Sequence, residues 1–338
     1  MNADFEIADR DWRADVSVTL SERNLASTTP SDTLTDNTDA AFAGLGGPDC
    51  NPLTGTRGSG NEGTGGCFYY NPFATSVFDP ITNAKWNSAD ASVWAGGAAI
   101  GRPNITVADA ARLLQNPVEL IDFMTGQIQT QSETTQTVVD AVVAGDLFYT
   151  KHGPIGLAVG GQFRRDEIRV DNDKNLNDNN FKFVFGAQDW DGELTTLAAF
   201  VEVFIPLSSW AELTVAGRFE TFDEIDTDTF DPKVTLLVRP FESLSLRASG
   251  GTSFRVGSQL QLFGQQTTLL NSTDPFSGTG GLAFRPTLTD GNADLDPEEA
   301  TVFNIGLSWA PVDGLLEGLT LDLDYYDYDY DDIITREA

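Results

Sequence analysis

Apolar residues return at every second position along much of this chain, with polar residues between them. Val234, Leu236 and Val238 alternate with Lys233, Thr235 and Arg239. After Pro240-Phe241-Glu242-Ser243, Leu244, Leu246, Ala248 and Gly250 alternate with Ser245, Arg247 and Ser249. A period of two is that of a β-strand, whose pleat sends neighbouring side chains to opposite faces. The stretch from Asp231 to Gly264 therefore predicts two antiparallel strands joined by a tight turn and followed by a Gly- and Ser-rich exit.

The same period recurs along the chain. Trp12, Ala14, Val16, Val18 and Leu20 alternate with Arg13, Asp15, Ser17 and Thr19. Val139, Ala141, Val143, Leu147 and Tyr149 predict the next strand, and Ile155 to Phe163 the one after the Lys151-His152-Gly153-Pro154 turn. Further segments run from Leu197 to Ile205, Leu213 to Phe219, Phe303 to Trp309 and Leu319 to Tyr325, about nine strands in all. Their connections are short at one end and long at the other, as in barrels that cross an outer membrane. Phe148, Tyr149, Phe204, Trp210, Phe241 and Trp309 gather near the short turns, where an interfacial aromatic belt belongs. The predicted fold is all-β: part of the wall of an antiparallel up-and-down transmembrane β-barrel, with long external loops carrying a short helix. Leu157, Val201, Leu246 and Leu321 are predicted to face lipid. Gln162, Glu212, Arg247 and Asp322 are predicted to face the lumen or a plug within it, and Asp140, Asp146, Glu212 and Glu220 to line a wet lumen.

The segment from Leu25 to about Gln136 shows no sustained strand period and is read as one large external loop. Within it, Thr106-Val107-Ala108-Asp109 has the form of a capping box before a helix that Pro117 ends, and Val118 to Thr125 predicts a further turn or two. The polar run Asp171–Asn180 begins like a calcium loop, but Leu176 replaces the sixth-position glycine and Lys182 the twelfth-position glutamate, so an EF-hand is rejected. Gly257 to Asn292 reads as a second long loop.

Composition narrows the function. A net charge of −31 argues against a nucleic-acid partner, which needs clustered Lys and Arg. No run of 18 apolar residues predicts a membrane-crossing helix, and a mean hydropathy of −0.20 is compatible with strands that show lipid only every second residue. Met1-Asn2-Ala3-Asp4-Phe5-Glu6 lacks the form of a signal peptide, so the chain is expected to be an internal piece of a longer protein. No nucleophile elbow, P-loop, zincin or dinucleotide motif occurs, and His152 is the only histidine. An enzyme is not expected, nor a metal site or cofactor.

Several motifs carry a family resemblance. Asp231-Pro232-Lys233-Val234, Pro240, Ser253-Phe254-Arg255 and Gln261-Leu262-Phe263-Gly264 resemble, in order and spacing, the barrel of TonB-dependent outer-membrane receptors. Val256-Gly257 stands where that family usually has Ala-Pro. Leu295-Asp296-Pro297-Glu298-Glu299 and the Tyr/Asp run Tyr325–Ile334 resemble later strand boundaries of the same family. The resemblance implies residues 1–338 of a partial barrel domain, with the plug domain and remaining strands outside this chain. It implies residence in the bacterial outer membrane and uptake of a scarce nutrient: a ferric siderophore, cobalamin, carbohydrate or peptide. The implied partners are outer-membrane lipid, the nutrient, the receptor's own plug and the inner-membrane energy-transducing complex.

The segments around Cys50 and Cys67 resemble a two-cysteine external loop of one subgroup, and in an oxidising compartment these two cysteines are expected to pair. Phe68, Tyr69, Tyr70, Trp86 and Trp94 are candidates to stack on a sugar or aromatic siderophore, or else to pack the loop on itself. Two other classes stay open: a passive outer-membrane porin or adhesin barrel, and a soluble secreted glycan-binding β-protein.

Overall fold

Long strands laid side by side in chain order account for most of the structure, a computed structural model that describes residues 1–29, 31–50, 60, 62–72, 77–78, 85–86, 116, 118–273 and 282–335. The strands are β1 (Asn2–Glu6), β2 (Asp11–Thr28), β3 (Gln129–Thr150), β4 (Gly153–Asn172), β5 (Trp190–Ser208), β6 (Ala211–Phe222), β7 (Thr227–Phe241) and β8 (Leu244–Arg255). A two-stranded hairpin, β9 (Gln265–Thr273) and β10 (Leu282–Asp290), precedes β11 (Glu298–Trp309) and β12 (Leu321–Asp331). The other ten of these strands join one sheet in sequential order, every neighbour antiparallel, with β1 and β12 at its two edges; two-residue strand pairs, Asp32–Thr33 with Thr125–Gly126 and Val77–Phe78 with Lys85–Trp86, stand apart from it. At the β3–β4, β5–β6 and β7–β8 joins a connection of two residues returns the chain beside itself, which fixes these neighbours as antiparallel.

Register assigns the two faces. Asp140 lies opposite Gln162, Gln162 opposite Ala198, and Ala198 opposite Glu220, so a polar row crosses four strands. Glu212, Leu237 and Arg247 continue that face toward Asp322 and Asp324. Leu157 opposes Val203, Val201 opposes Val159, Leu246 opposes both Val238 and Leu307, and Leu321 opposes Trp309, all on the other face. That second face carries an uncovered apolar band, with Phe230 at 64% and Leu323 at 68% exposure, and turns charged toward the end remote from the tight turns, where Arg165 pairs with Glu167 and Glu193, and Arg169 with Asp171. Burial in the sheet is correspondingly thin: among the described residues, buried hydrophobic side chains gather in three small clusters at loops and strand ends.

Several boundaries differ from the alternation. β2 runs to Thr28 and β3 starts at Gln129, so the first long connection is shorter than Leu25–Gln136. The residues added to β3, 129–136, are polar on both faces, yet they keep the backbone ladder with β2, and from Thr130 with β4. Ladder bonds join backbone groups and do not require a side-chain period. Similarly, β6 and β7 extend until only Asp223–Asp226 separates them, so this connection is short although it lies at the end opposite the tight turns. Asp226 takes a left-handed φ of 47° there, a conformation Asp tolerates. A bulge between Asp146 and Phe148 breaks the phase of β3: Phe148, not Tyr149, pairs with Ile155. The Leu147 carbonyl at the bulge accepts from the Arg10 guanidinium. β1 adds a tenth strand that five exposed residues did not reveal.

The connections have structure of their own. Helix α1 (Thr35–Phe42) and α2 (Val118–Met124) pack together through Ala41, Leu120 and Met124. The helix expected at residues 106–114 lies outside the described residues. The Asp171–Asn180 run contains α3 (Lys174–Asn177), whose N-cap Asp173 accepts from the backbone N–H groups of Asn175 and Leu176. Residues 257–292 hold α4 (Gln259–Leu262) and the β9–β10 hairpin rather than a structureless loop. No helix among the described residues is long and apolar enough to cross a membrane, which says nothing of strands.

Candidate functional site

Ion pairs on the polar face grow from a local rule. Residues i and i+2 of a strand point the same way, so an Arg followed two places later by an acid can close a pair without help from a neighbouring strand. The chain uses this spacing at Arg13/Asp15, Arg164/Asp166 and Arg218/Glu220. Cross-strand bonds then knit the pairs together. Gln162 donates to Asp140 at 2.6 Å and accepts from Arg218 at 3.1 Å, and Gln136 donates to Asp166 at 2.7 Å. The Arg218 guanidinium also lies 5.9 Å from the Phe200 ring centroid, a cation–π distance. Nearer the β12 edge, Arg247 reaches Asp324 with both forks.

Over the end of this face remote from the tight turns runs a strap, residues 256–264. Ser258 caps α4 through the reciprocal Ser258/Gln261 capping box. Leu262 is 2% exposed and packs with Leu194 and Phe222, which fixes the strap to β5 and β6. Gln259 Nε2 donates to the Asp166 carbonyl at 2.8 Å, and the Gly264 carbonyl accepts from Gly291 N–H at 2.6 Å. Gly192 lies against Phe263 so closely that a β-carbon would meet the ring at 2.7 Å. The strap bounds a cavity of about 440 Å³ whose lining includes Thr134, Arg164, Asp166, Glu220, Phe254 and Arg255. Glu220 is 7% exposed, held beside Arg218. Arg164 Nε lies 3.0 Å from Asp166 Oδ2, but at an angle that leaves its buried N–H without a hydrogen bond.

At the rim, Arg255 Nη2 donates to Glu298 Oε1 at 2.7 Å, and Ile334 N–H donates to the same oxygen at 2.9 Å. These bonds, the Arg255 one first, hold the Glu298 carboxyl down to about 2. The neighbouring Glu299 and Asp331 oppose one another on the other face, so this rung lies beyond the apolar band.

The residues singled out from sequence sit elsewhere, in the first long connection. Cys50 and Cys67 are joined, with sulfurs 2.11 Å and Cα atoms 4.6 Å apart. Phe68 pairs through its backbone with Gly46 and packs, like Tyr70, against the Ala41–Leu120–Met124 cluster. Tyr70 also meets the Phe42 ring edge-on at 5.4 Å. Tyr69 is 56% exposed, its ring lying close to Gly44 and Gly63, both with positive φ. Trp86 belongs to a two-residue strand paired with Val77-Phe78, and Trp94 lies outside the described residues. The structure thus brings Phe68 to Tyr70 together around the disulfide, and does not bring them to the polar-face cavity among its lining residues. Of the cavity residues, Glu220 was expected on the lumen surface, while Thr134, Arg164, Asp166 and Arg255 were not singled out as a site; the recurring Arg-x-acid spacing was the available signal. Among the described residues no group of three or more His, Cys, Asp or Glu side chains is arranged to hold a metal ion.

The profile of the family described as TonB dependent receptor-like, beta-barrel matches residues 11–338. The chain belongs to this family, whose barrels are outer-membrane proteins of Gram-negative bacteria and transporters rather than enzymes. Among solved structures it is similar to a mutant of the ferric enterobactin receptor PfeA of Pseudomonas aeruginosa, at 18% identity, TM-score 0.41, over 60% of this chain and 31% of that one. It is also similar to the siderophore receptor PirA of Acinetobacter baumannii, at 14% identity, TM-score 0.43, over 62% and 33%. The RagAB peptide transporter is similar at 12% identity, TM-score 0.41, over 96% of this chain and 29% of that one. The chain thus spans about a third of the length of these structures. No match was found among curated proteins.

Proposed function

We propose that this chain forms part of the barrel wall of an outer-membrane receptor that takes up a scarce nutrient with energy delivered through the inner-membrane complex. The observation that carries the proposal is the two-faced sheet: ten strands with an uncovered apolar band on one face and paired charges at the same level on the other. In water an apolar face of this extent would drive aggregation; against lipid it is satisfied, and the paired charges suit a wet lumen. On this reading the tight turns face the periplasm, and the disulfide-bearing connection and the strap face outward. The two sheet edges pair with further strands, since lipid does not accept open edges, and a plug fills the lumen. Tyr69, more than half exposed, and the cavity under the strap are the places where ligand meets this part of the wall.

The test is to express the complete reading frame in a Gram-negative host, fractionate the membranes, and measure accumulation of nutrients with and without the energy-transducing complex. The expected result is an outer-membrane protein whose uptake stops when the complex is deleted. Uptake that continues without it would identify a passive porin, and a protein recovered from the soluble fraction would overturn the membrane reading.

A further inference from the structure

We infer that the cavity under the strap takes a neutral, hydroxyl-rich ligand, a sugar or related polyol, rather than an anionic metal chelate. The inference deepens the receptor reading and rests on it. Three features of the cavity point the same way.

The first is charge. Both guanidiniums that line the cavity already face a carboxylate, Arg164 beside Asp166 and Arg255 beside Glu298. An anion drawn to either Arg is pushed back by an acid at nearly the same distance, so the two Coulomb effects largely cancel. Buried Glu220 adds a third carboxylate, itself neutralised by Arg218. Around the site the whole chain carries −31, a field that lowers the local concentration of anions.

The second feature is hydrogen bonding. A guanidinium has five N–H groups and a carboxylate about four lone-pair sites, so each ion pair keeps donors and acceptors to spare. A hydroxyl both donates and accepts, and can bridge a donor and an acceptor set a few ångströms apart, as at Arg164 and Asp166. The buried Arg164 Nε–H, without an acceptor of its own, is a donor that a ligand oxygen would satisfy. Thr134 extends this polar lining.

The third is an apolar surface beside the polar one. Phe254 is half-buried and meets the buried Phe222 ring edge-on, with centroids 5.9 Å apart. This props the Phe254 ring at the cavity wall, where it offers an apolar surface to the C–H side of a sugar ring. The volume, about 440 Å³, falls within the ~300–1,000 Å³ range of small-molecule sites.

The test uses the complete receptor in detergent and titration calorimetry. The probes are neutral linear hexasaccharides of glucose, mannose and xylose, and a ferric tricatecholate. At least one hexasaccharide should bind, with an affinity changing less than about twofold between low and high salt, because no net charge is neutralised. Arg164→Met and Phe254→Ala should each weaken it at least tenfold, while Arg13→Met, at an exposed pair on β2, leaves it unchanged. Variants are first checked for heat-modifiable migration, and Arg164→Lys, which keeps the charge and loses the fork, should also weaken binding. Failure of all three sugars to bind, or tighter binding of the tricatecholate, overturns the inference. Neither result touches the receptor reading, which stands or falls on membrane location and energised uptake.

Discussion

Arg255 and Glu298 close the outermost paired rung of β8 and β11, with Nη2 and Oε1 2.7 Å apart across 43 residues of sequence. The strap and the β9–β10 hairpin occupy the chain between them. One ion pair therefore clamps the two roots of the segment that bounds the cavity.

The clamp sets a pH dependence. Glu298 has its carboxyl held at about 2 in the folded chain, against an ordinary value of 4.5. A depressed folded value means the carboxylate's contribution is fully present above about pH 4.5 and is lost as pH falls from 4.5 toward 2. Arg255 is half exposed, so the effect is small. Glu298→Gln should lower the melting temperature modestly above pH 4.5 and converge with the wild type near pH 2. A difference that is constant from pH 2 to 7 would show that the pair does not hold the rung.

The two faces are separable by label accessibility. Nitroxides at Leu157, Val201, Leu246 and Leu321 should be relaxed by oxygen partitioned into the bilayer. Those at Gln162, Glu212, Arg247 and Asp322 should respond instead to a water-soluble paramagnet. Interchange of the two patterns would reverse the wall.

The faces were legible because lipid and lumen impose opposite demands on neighbouring residues, as at Leu157 and Gln162. Where both faces are polar the signal vanishes, although the ladder continues, as from Thr130 to Gln136 beside Asp166–Asn172. The Asp146/Phe148 bulge was hidden for a related reason: one inserted residue changes phase without changing composition. The cavity was harder still. Thr134, Arg164, Glu220 and Arg255 lie on four different strands, and only the sheet order brings them together. The Cys50–Cys67 loop, by contrast, is local in sequence, and its aromatic residues could be named even though Phe68 and Tyr70 are used for packing.

Gly160 lies beneath the Phe200 ring that Arg218 covers, and a β-carbon there would also meet the Ala141 carbonyl at 2.8 Å. Gly160→Val should displace Phe200 and cost roughly 1–3 kcal/mol, the range for overpacking. Gly161→Ala, next to it on the other face, meets only the Ala198 carbonyl at 3.3 Å and should cost less. Urea unfolding of the two variants in matched detergent provides the comparison, and equal losses would remove the steric explanation.

Cys50 and Cys67 are separated by 17 positions, and a loop of that length corresponds to about 3 kcal/mol in the chain-entropy account of cross-links. Replacing both with serine should expose the connection around α1 and α2 to protease while β3 to β8 stay protected. Limited proteolysis followed by mass spectrometry reads the cut sites. Cleavage that is unchanged in the double variant would show that packing around Leu120 alone orders this region.

Leu262 is the anchor by which the strap holds to the wall. It is 2% exposed, lies against Leu194 and Phe222, and ends a helix of only four residues that has no stability of its own. Leu262→Ala should therefore cost about 2–5 kcal/mol locally, the range for a buried leucine truncated in a packed cluster. Ser258→Ala, which removes the cap but not the anchor, should cost about 1 kcal/mol. Because the strap touches the sheet only along its outer end, the ladder of β3 to β6 should survive both changes. Hydrogen exchange separates these contributions: the Leu262 and Phe263 amides, bonded to the Ser258 and Gln259 carbonyls, should exchange much faster in Leu262→Ala and slightly faster in Ser258→Ala. Amides in the centre of β5 should be unaffected. Equal acceleration of strap and sheet would mean that the strap is part of the wall's cooperative unit and not a segment fastened onto it.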